Sequence, residues 1–394
     1  MANIEIRPVS GDERIAVSYL LDTYAFRPTP PGPDMQAWAE TMNRRGGVDY
    51  LVVFEDGKPM AGAFTSPLTQ NVRGQQFHTG ALWGVATLPE GRRKGYSRMA
   101  IARTLAMDHQ HGRAFSCLYP FRESFYEKLG YASFPYTMVT RLSPRSLAAA
   151  LKIKTGGVVE RLPIAEGYPQ YRSYLEKMRQ QVHGMSLFDL PDVETIQKNN
   201  QFWLALAKVD GEVEGLILYS LQGEEITKFN MRCQRFYYTS SQARCLLLGW
   251  IARHADQADR AEIRLPPYER PNTWLADLEL RTEFATWGPM GRVLSVDRLG
   301  GMAVGDGAFT ARIHDSFCPW NEGAWRFEGR GGTLSISPAD EADFDLSIQG
   351  LSSLAYGLND PCDFQYRGWG DPGPALGTLH SMFPPLTPHL HEEF

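Results

Sequence analysis

Residues 83–99 read WGVATLPEGRRKGYSRM, and this stretch decides the fold. Trp83 to Leu88 has the length and the aromatic and β-branched character of a buried strand, and Pro89-Glu90-Gly91 ends it. A helical pattern follows, with Met99, Ala102, Leu105 and Ala106 at helical spacing and Gly112 as its stop. Between strand and helix, Arg92, Arg93 and Lys94 supply positive charge, and Gly95 lets the backbone approach a bound group. Successive N–H groups at the helix start then face anionic oxygens, the arrangement that holds a pyrophosphate. A solvated basic turn is the plainer reading of the same residues. The stretch has neither a GKS or GKT run nor a GxGxxG pattern, so it is not a P-loop or a dinucleotide-binding turn.

Outward from this unit the first 148 residues alternate helix and strand. Helices are expected over Glu13–Tyr24 and Met35–Arg44, and strands over Tyr50–Glu55, Met60–Thr65 and Ala114–Leu118. That order predicts an α+β domain with a mixed sheet. Arg27-Pro28-Thr29-Pro30-Pro31-Gly32-Pro33 is too rich in proline for a helix and reads as a stiff loop. Residues 149–288 partly repeat the pattern. They carry a helix over Gln170–Gln181, a strand pair Phe202–Val209 and Val213–Tyr219, and a helix over Gln242–His254. The Asp210-Gly211 turn mirrors Asp56-Gly57, and both are hairpin signals. Residues 289–394 begin with the strand-like Gly291–Asp297, continue through a Thr333–Ser337 strand and a helical Asp345–Tyr356, and read as a small α+β module.

A chain of 394 residues is too long for one ordinary core, and 43% hydrophobic with 22% charged residues is a globular composition. The net charge of −5 offers no field for nucleic acid, so the Arg92–Lys94 cluster is a local device. No apolar run reaches the length of a membrane span, and Met1–Pro8 lacks the features of a signal peptide. These readings predict a cytoplasmic protein. The five cysteines are scattered without a CxxC pair and read as free thiols. His109-x-His111 and His389-x-His391 have no nearby carboxylate or thiol partners, so no metal is expected.

The Arg92-x-x-Gly95-x-Ser97 pattern resembles the acetyl-CoA signature of the GNAT acetyltransferases, Arg/Gln-x-x-Gly-x-Gly/Ala, with Ser97 departing in the last place. The second repeat lacks such a loop and is expected to be a degenerate GNAT fold that does not bind CoA. The third module resembles a sterol carrier protein-like domain. Phe125-Tyr126-Glu127-Lys128-Leu129-Gly130-Tyr131 is similar to a segment of the Eis-like (enhanced intracellular survival) acetyltransferases, and the three-module order resembles theirs over the whole chain.

That resemblance implies direct transfer of acetyl from acetyl-CoA to a primary amine of a small cationic acceptor, such as an aminoglycoside, a polyamine or a lysine-type amine. It also implies a homo-oligomer, commonly a hexamer. Tyr126 would be the general acid, since a phenol pKa of about 10 is close to that of an alkyl thiol. The α-carboxylate of the last residue, Phe394, would be the base. Pro384, Pro385 and Pro388 stiffen the approach to it, and Phe383, Leu386 and Leu390 make this tail apolar for a solvated end. Backbone N–H groups of Val85, Ala86 and Thr87 would bind the thioester oxygen. Arg92, Arg93, Lys94, Gly95, Tyr96 and Ser97 would bind the cofactor. Asp22, Glu392 and Glu393 would attract a cation, with Tyr24, Phe26 and Trp38 walling the acceptor pocket. A lipid carrier with a vestigial GNAT domain, a CoA sensor without turnover, and an enzyme with a longer acyl donor are the rival readings.

Overall fold

A computed structural model describes residues 2–27 and 29–394; Pro28 of the proline-rich loop lies outside the described residues. The chain forms two compact units, one of Met1–Phe134, Val182–Asp192 and Pro289–Phe394, the other of Pro135–Gln181 and Val193–Gly288.

The first unit starts with β1 (Ile4–Val9), α1 (Gly11–Phe26), α2 (Met35–Arg44), β2 (Asp49–Glu55), β3 (Lys58–Val72) and β4 (Gln75–Thr87). It continues with α3 (Tyr96–Gln110), β5 (Phe115–Leu118), α4 (Glu123–Glu127) and β6 (Ala132–Ser133). Two-residue turns join β2 to β3 at Asp56-Gly57 and β3 to β4 at Arg73-Gly74, all at positive φ, the geometry that matches strand twist. The eight-stranded sheet runs β1-β2-β3-β4-β5, then Met290–Val293, then β6, and Ser186–Phe188 adds to β3.

Met290–Val293 therefore completes the first sheet, lying antiparallel to both β5 and β6, rather than opening the third module as its position in sequence suggests. Asp345–Tyr356 is likewise not one helix. Phe344–Ser347 is a strand, and the helix begins at Ile348, where the Ser347 hydroxyl accepts from the Gly350 N–H at 3.3 Å. The third module's sheet runs Thr333–Pro338, Gly323–Arg330, Gly307–His314 and Phe344–Ser347. Its apolar face joins that of the first sheet, so that Leu68, Phe77 and Phe115 share one core with Phe309, Phe327, Leu351, Tyr356 and Leu379.

The face of α3 that packs on the sheet is Ala100, Ile101, Thr104, Leu105 and Asp108; of the expected stripe Met99, Ala102, Leu105 and Ala106, Leu105 lies on it and the face is turned from the other three. Two polar residues are tolerated there because both are bonded. The Thr104 hydroxyl donates to the Ala100 carbonyl at 2.9 Å, and the Asp108 carboxylate pairs with Arg113 and accepts from Thr65. Gly80 is required opposite, since a Cβ there would overlap the Asp108 carboxylate.

The second unit holds a seven-stranded sheet that contains Met138–Leu142 at one side, so residues 135–148 join this unit and not the first. Its Phe229–Tyr238 strand pairs in parallel with Ala258–Leu265 only as far as Cys233 opposite Ile263, and leads into the helix Ser241–Ala252. This repeats the β4-α3-β5 order. In place of the basic loop stand Thr239 and Ser240, and Ser240 caps the helix through the Ala243 N–H at 3.1 Å. Where the strands part, the Tyr238 hydroxyl donates to Glu269 at 2.6 Å and Trp274 stacks on Phe236 at 5.3 Å. Side chains of this unit therefore pair with one another where the two strands part.

Candidate active site

Sheet register opens the site. β4 pairs in parallel with β5 only from Thr79 opposite Phe115 to Ala81 opposite Cys117, yet it runs on to Thr87. Beyond Ala81 its ladder partner is β3 alone. On that side the register shifts between Gly62 and Phe64, leaving Gly84 and Val85 outside the paired positions. This is a bulge, and Gly84 sits in it at φ +57°, with the Phe64 ring 2.7 Å from where a Cβ would be. Val85, Ala86 and Thr87 therefore lie on a strand that has left one neighbour and kinked on the other. Backbone N–H groups there can be aimed at a ligand.

The chain then turns through Pro89–Gly91 into the basic loop. Arg93 at φ +65° and Gly95 at φ +84° bend the backbone just before α3, and no side chain caps that helix. Its first intrahelical bond is from the Met99 N–H to the Gly95 carbonyl at 3.1 Å, so the N–H groups of Tyr96, Ser97 and Arg98 precede the ladder. Arg92 and Arg93 are exposed beside them. This cradle, with open space around Gly95, fits a pyrophosphate. Lys94 departs from the expected role. Its ammonium lies 2.7 Å from Glu55, whose carboxylate raises the Lys94 pKa and is itself lowered by the bond. Tyr96 is buried under the loop in the α3 core.

Tyr126 is the last residue but one of the short helix α4 and is buried among Phe121, Phe125 and Tyr131, with ring centroids at 5.7, 5.0 and 6.0 Å. Burial pushes its phenol up, so it stays protonated through the neutral range. The C-terminal tail runs beside residues 183–188. The His389 N–H donates to the His183 carbonyl at 2.9 Å, and Glu392 accepts from the Phe188 N–H at 3.1 Å. The Phe394 ring then meets Phe188 at 5.9 Å and Tyr119 at 5.7 Å. Tyr119 directly follows β5, so the tail ends where β4 and β5 part. Glu393 is exposed.

The expected acceptor residues do not gather into one wall. Tyr24 and Phe26 face solvent on α1, whereas Trp38 packs on α1 with its indole N–H donating to Ser18 at 3.0 Å. Asp22 is buried, and Oδ2 is 3.7 Å from where a Gly84 Cβ would stand, against the bulge. Burial raises its pKa well above the usual carboxyl value, with Arg45 opposing. Its Oδ1 and the buried Tyr50 hydroxyl have no hydrogen-bond partner among the described residues. Tyr50, which stacks on Phe64 at 3.8 Å, was not singled out from the sequence, because its context is that of a plain core strand. Among the described residues no group of three or more histidine, cysteine or acidic side chains could hold a metal, and no helix is long and apolar enough to cross a membrane.

Residues 5–134 match a family model described as an acetyltransferase (GNAT) domain, and residues 188–293 match a second of the same description. The chain thus contains two GNAT acetyltransferase domains. Residues 298–391 match the sterol carrier protein domain, so this GNAT protein carries two acetyltransferase-type domains and a sterol carrier-like module, in that order. An uncharacterized N-acetyltransferase of Streptomyces avermitilis is 41% identical over 46 residues, a match spanning 11% of this chain and 11% of that protein.

Among solved structures, a probable N-acyltransferase of unknown function from Enterococcus faecalis superposes with a TM-score of 0.84 at 17% identity, over 100% of both chains. A GCN5-related N-acetyltransferase from Anabaena variabilis gives 0.83 at 18% identity, over 98% of this chain and 99% of its own. Eis1 from Mycobacterium abscessus gives 0.80 at 17% identity, over 100% of both chains. At these identities the likeness is one of fold, and it extends through all three modules.

Proposed function

We propose that this GNAT protein transfers acetyl directly from acetyl-CoA to a primary amine of a small cationic acceptor, within a ternary complex. The observation that carries the reading is the parting of β4 from β5 beyond Ala81, with a bulge at Gly84 and an uncapped helix start beyond it. One continuous strand-loop-helix thereby offers N–H groups at two places. Those of Val85–Thr87 meet the thioester carbonyl, and those of Tyr96–Arg98, with Arg92 and Arg93, meet the pyrophosphate.

The neutral amine attacks the thioester carbon, and the N–H groups of β4 hold the negative charge that forms on the carbonyl oxygen. The Phe394 α-carboxylate takes the proton released by the amine nitrogen. As the C–S bond breaks, the departing thiolate takes the phenol proton of Tyr126, yielding CoA thiol and the amide. Asp22, buried against the bulge with an unpartnered oxygen, is suited to hold an ammonium of the acceptor.

The test is release of CoA thiol from acetyl-CoA across kanamycin, spermidine and a lysine peptide. Tyr126→Phe and a protein extended by a few residues beyond Phe394 are run beside the wild type. Turnover with one of these amines, reduced about 100-fold or more by Tyr126→Phe and lost on extension, supports the reading. Full activity of the extended protein removes the carboxylate from the mechanism. Tight binding of acetyl-CoA without turnover on any amine would point to a sensor.

A further inference from the structure

The end of α4, one residue beyond Tyr126, and the turn after it are held by a part of the chain more than 160 residues away. α4 is five residues long, too short to persist by its own hydrogen bonds, and the carbonyls at its end need outside donors. The Tyr126 carbonyl is satisfied locally, accepting the N–H of Leu129 at 2.8 Å and of Tyr131 at 3.3 Å. Three carbonyls that follow are approached by side chains from residues 292–352. The Glu127 carbonyl accepts the Gly130 N–H at 3.0 Å and takes a second bond from Gln349 Nε2 at 2.8 Å, Arg292 donates to the Leu129 carbonyl, and Ser352 Oγ, which donates to the Ile348 carbonyl at 2.6 Å, lies 3.3 Å from that of Gly130.

Packing holds the same turn from the other side. Gly130 stands at φ +94°, and a Cβ there would come within 2.8 Å of both Arg292 and Ile348. Arg292 is in turn fixed by Asp315, and both are fully buried. Arg292 and Ser352 are therefore core residues whose loss would disturb the fold itself. Gln349 differs. It lies at the edge, only partly buried on the helix Ile348–Tyr356, and it donates to the main chain of α4, whereas Ser133 and Arg367 reach α4 through the side chains of Glu123 and Glu127.

We infer that Gln349 is a positioning residue for catalysis: by capping the Glu127 carbonyl it stops the last turn of α4 from fraying and so fixes where the Tyr126 hydroxyl points. The third module thereby takes part in the chemistry of the first without touching substrate. This rests on the proposed acid role of Tyr126. Gln349→Glu keeps the shape but replaces the donor with an acceptor facing a carbonyl, whereas Gln349→Lys keeps a donor within reach.

The experiment measures kcat and KM for acetyl-CoA, with whichever of kanamycin, spermidine and the lysine peptide the wild type turns over fastest. The variants are Gln349→Glu, Gln349→Ala, Gln349→Lys, Tyr126→Phe, and Tyr126→Phe combined with Gln349→Ala. Expected are a tenfold or greater fall in kcat for the Glu and Ala variants, KM for acetyl-CoA within twofold of wild type, and partial recovery with Lys. In the Tyr126→Phe background Gln349→Ala should add no further loss, since the group it positions is gone. An equal loss in both backgrounds, or a KM that moves with kcat, would overturn the inference and leave Gln349 a plain structural contact. Should Gln349→Glu not fold, Gln349→Ala carries the same comparison. Full kcat in Tyr126→Phe would instead bring down the acid role, and the positioning of it with that role.

Discussion

Lys94 and Arg92 share one loop and one charge, yet the structure gives them different work. The Lys94 ammonium is engaged by Glu55 at 2.7 Å, while Arg92 is exposed beside the uncapped start of α3. Arg92→Ala should raise KM for acetyl-CoA about tenfold, the scale of one lost charge-assisted hydrogen bond, and leave kcat near wild type. Lys94→Ala should change that KM by less than about threefold, since an exposed ion pair contributes little. Equal effects of the two substitutions would show that Lys94 leaves Glu55 when the pyrophosphate arrives. Gly95→Ala places a side chain at φ +84°, a strain of about 1 kcal/mol at the point where the backbone must pass the ligand. Its KM for acetyl-CoA should rise as well, without change in the amine KM. The loop's composition was readable because its residue types do local work. Glu55 as the partner of Lys94 was not, since two residues 39 apart meet only once the sheet has formed.

At the scale of elements, the tail strap turns on His183. Its Nδ1 accepts the Arg73 N–H at 3.0 Å and its Nε2 lies 2.9 Å from the Tyr356 carbonyl, which requires the neutral ring with its proton on Nε2. Burial lowers its pKa to about 4 from the ordinary 6.5. The unfolded chain therefore takes up this proton first as pH falls. The stabilisation is whole above pH 6.5 and shrinks toward pH 4, by about 2 to 3 kcal/mol. Melting temperatures measured from pH 7 to pH 4 should fall more steeply for the wild type than for His183→Asn, whose side-chain oxygen can accept the same N–H without titrating. Parallel curves would show that other groups set the acid response. The helices α1, α2 and α3 were legible from periodicity and punctuation. Met290–Val293 was legible as a strand but was placed in the third module, because it follows the second repeat in sequence while its partners β5 and β6 lie far earlier in the chain. Arg292 in this strand is tolerated inside by Asp315 and the Leu129 carbonyl, both distant in sequence, together with the neighbouring Val293 carbonyl.

On the scale of the whole molecule, the module order was readable but the independence of the modules was not. Sequence divides the chain at residue 148, yet residues 1–148 on their own lack the strand Met290–Val293 that joins β5 to β6. They also lack Phe309, Phe327, Leu351, Tyr356 and Leu379, which cover Leu68, Phe77 and Phe115. Leaving such side chains in water costs about 1.5 to 3 kcal/mol each, and a few of them equal the 5 to 15 kcal/mol that a domain has in total. A polypeptide of residues 1–148 should therefore be insoluble or lack fixed tertiary structure. It should show no cooperative thermal transition and a near-ultraviolet circular dichroism spectrum without sharp aromatic bands. Adding the remaining residues in trans should not rescue it, because β5 and β6 are joined only through the missing strand and an unstructured or aggregated 1–148 chain presents no sheet for it to enter. A monomeric 1–148 protein that melts cooperatively and binds acetyl-CoA would contradict the shared core and restore the picture of a catalytic domain with separate attachments. The same comparison separates a catalytic from a carrier role for the third module. A carrier can be removed without cost to its neighbour, whereas a module that closes the first sheet, covers its core and caps the turn after Tyr126 cannot.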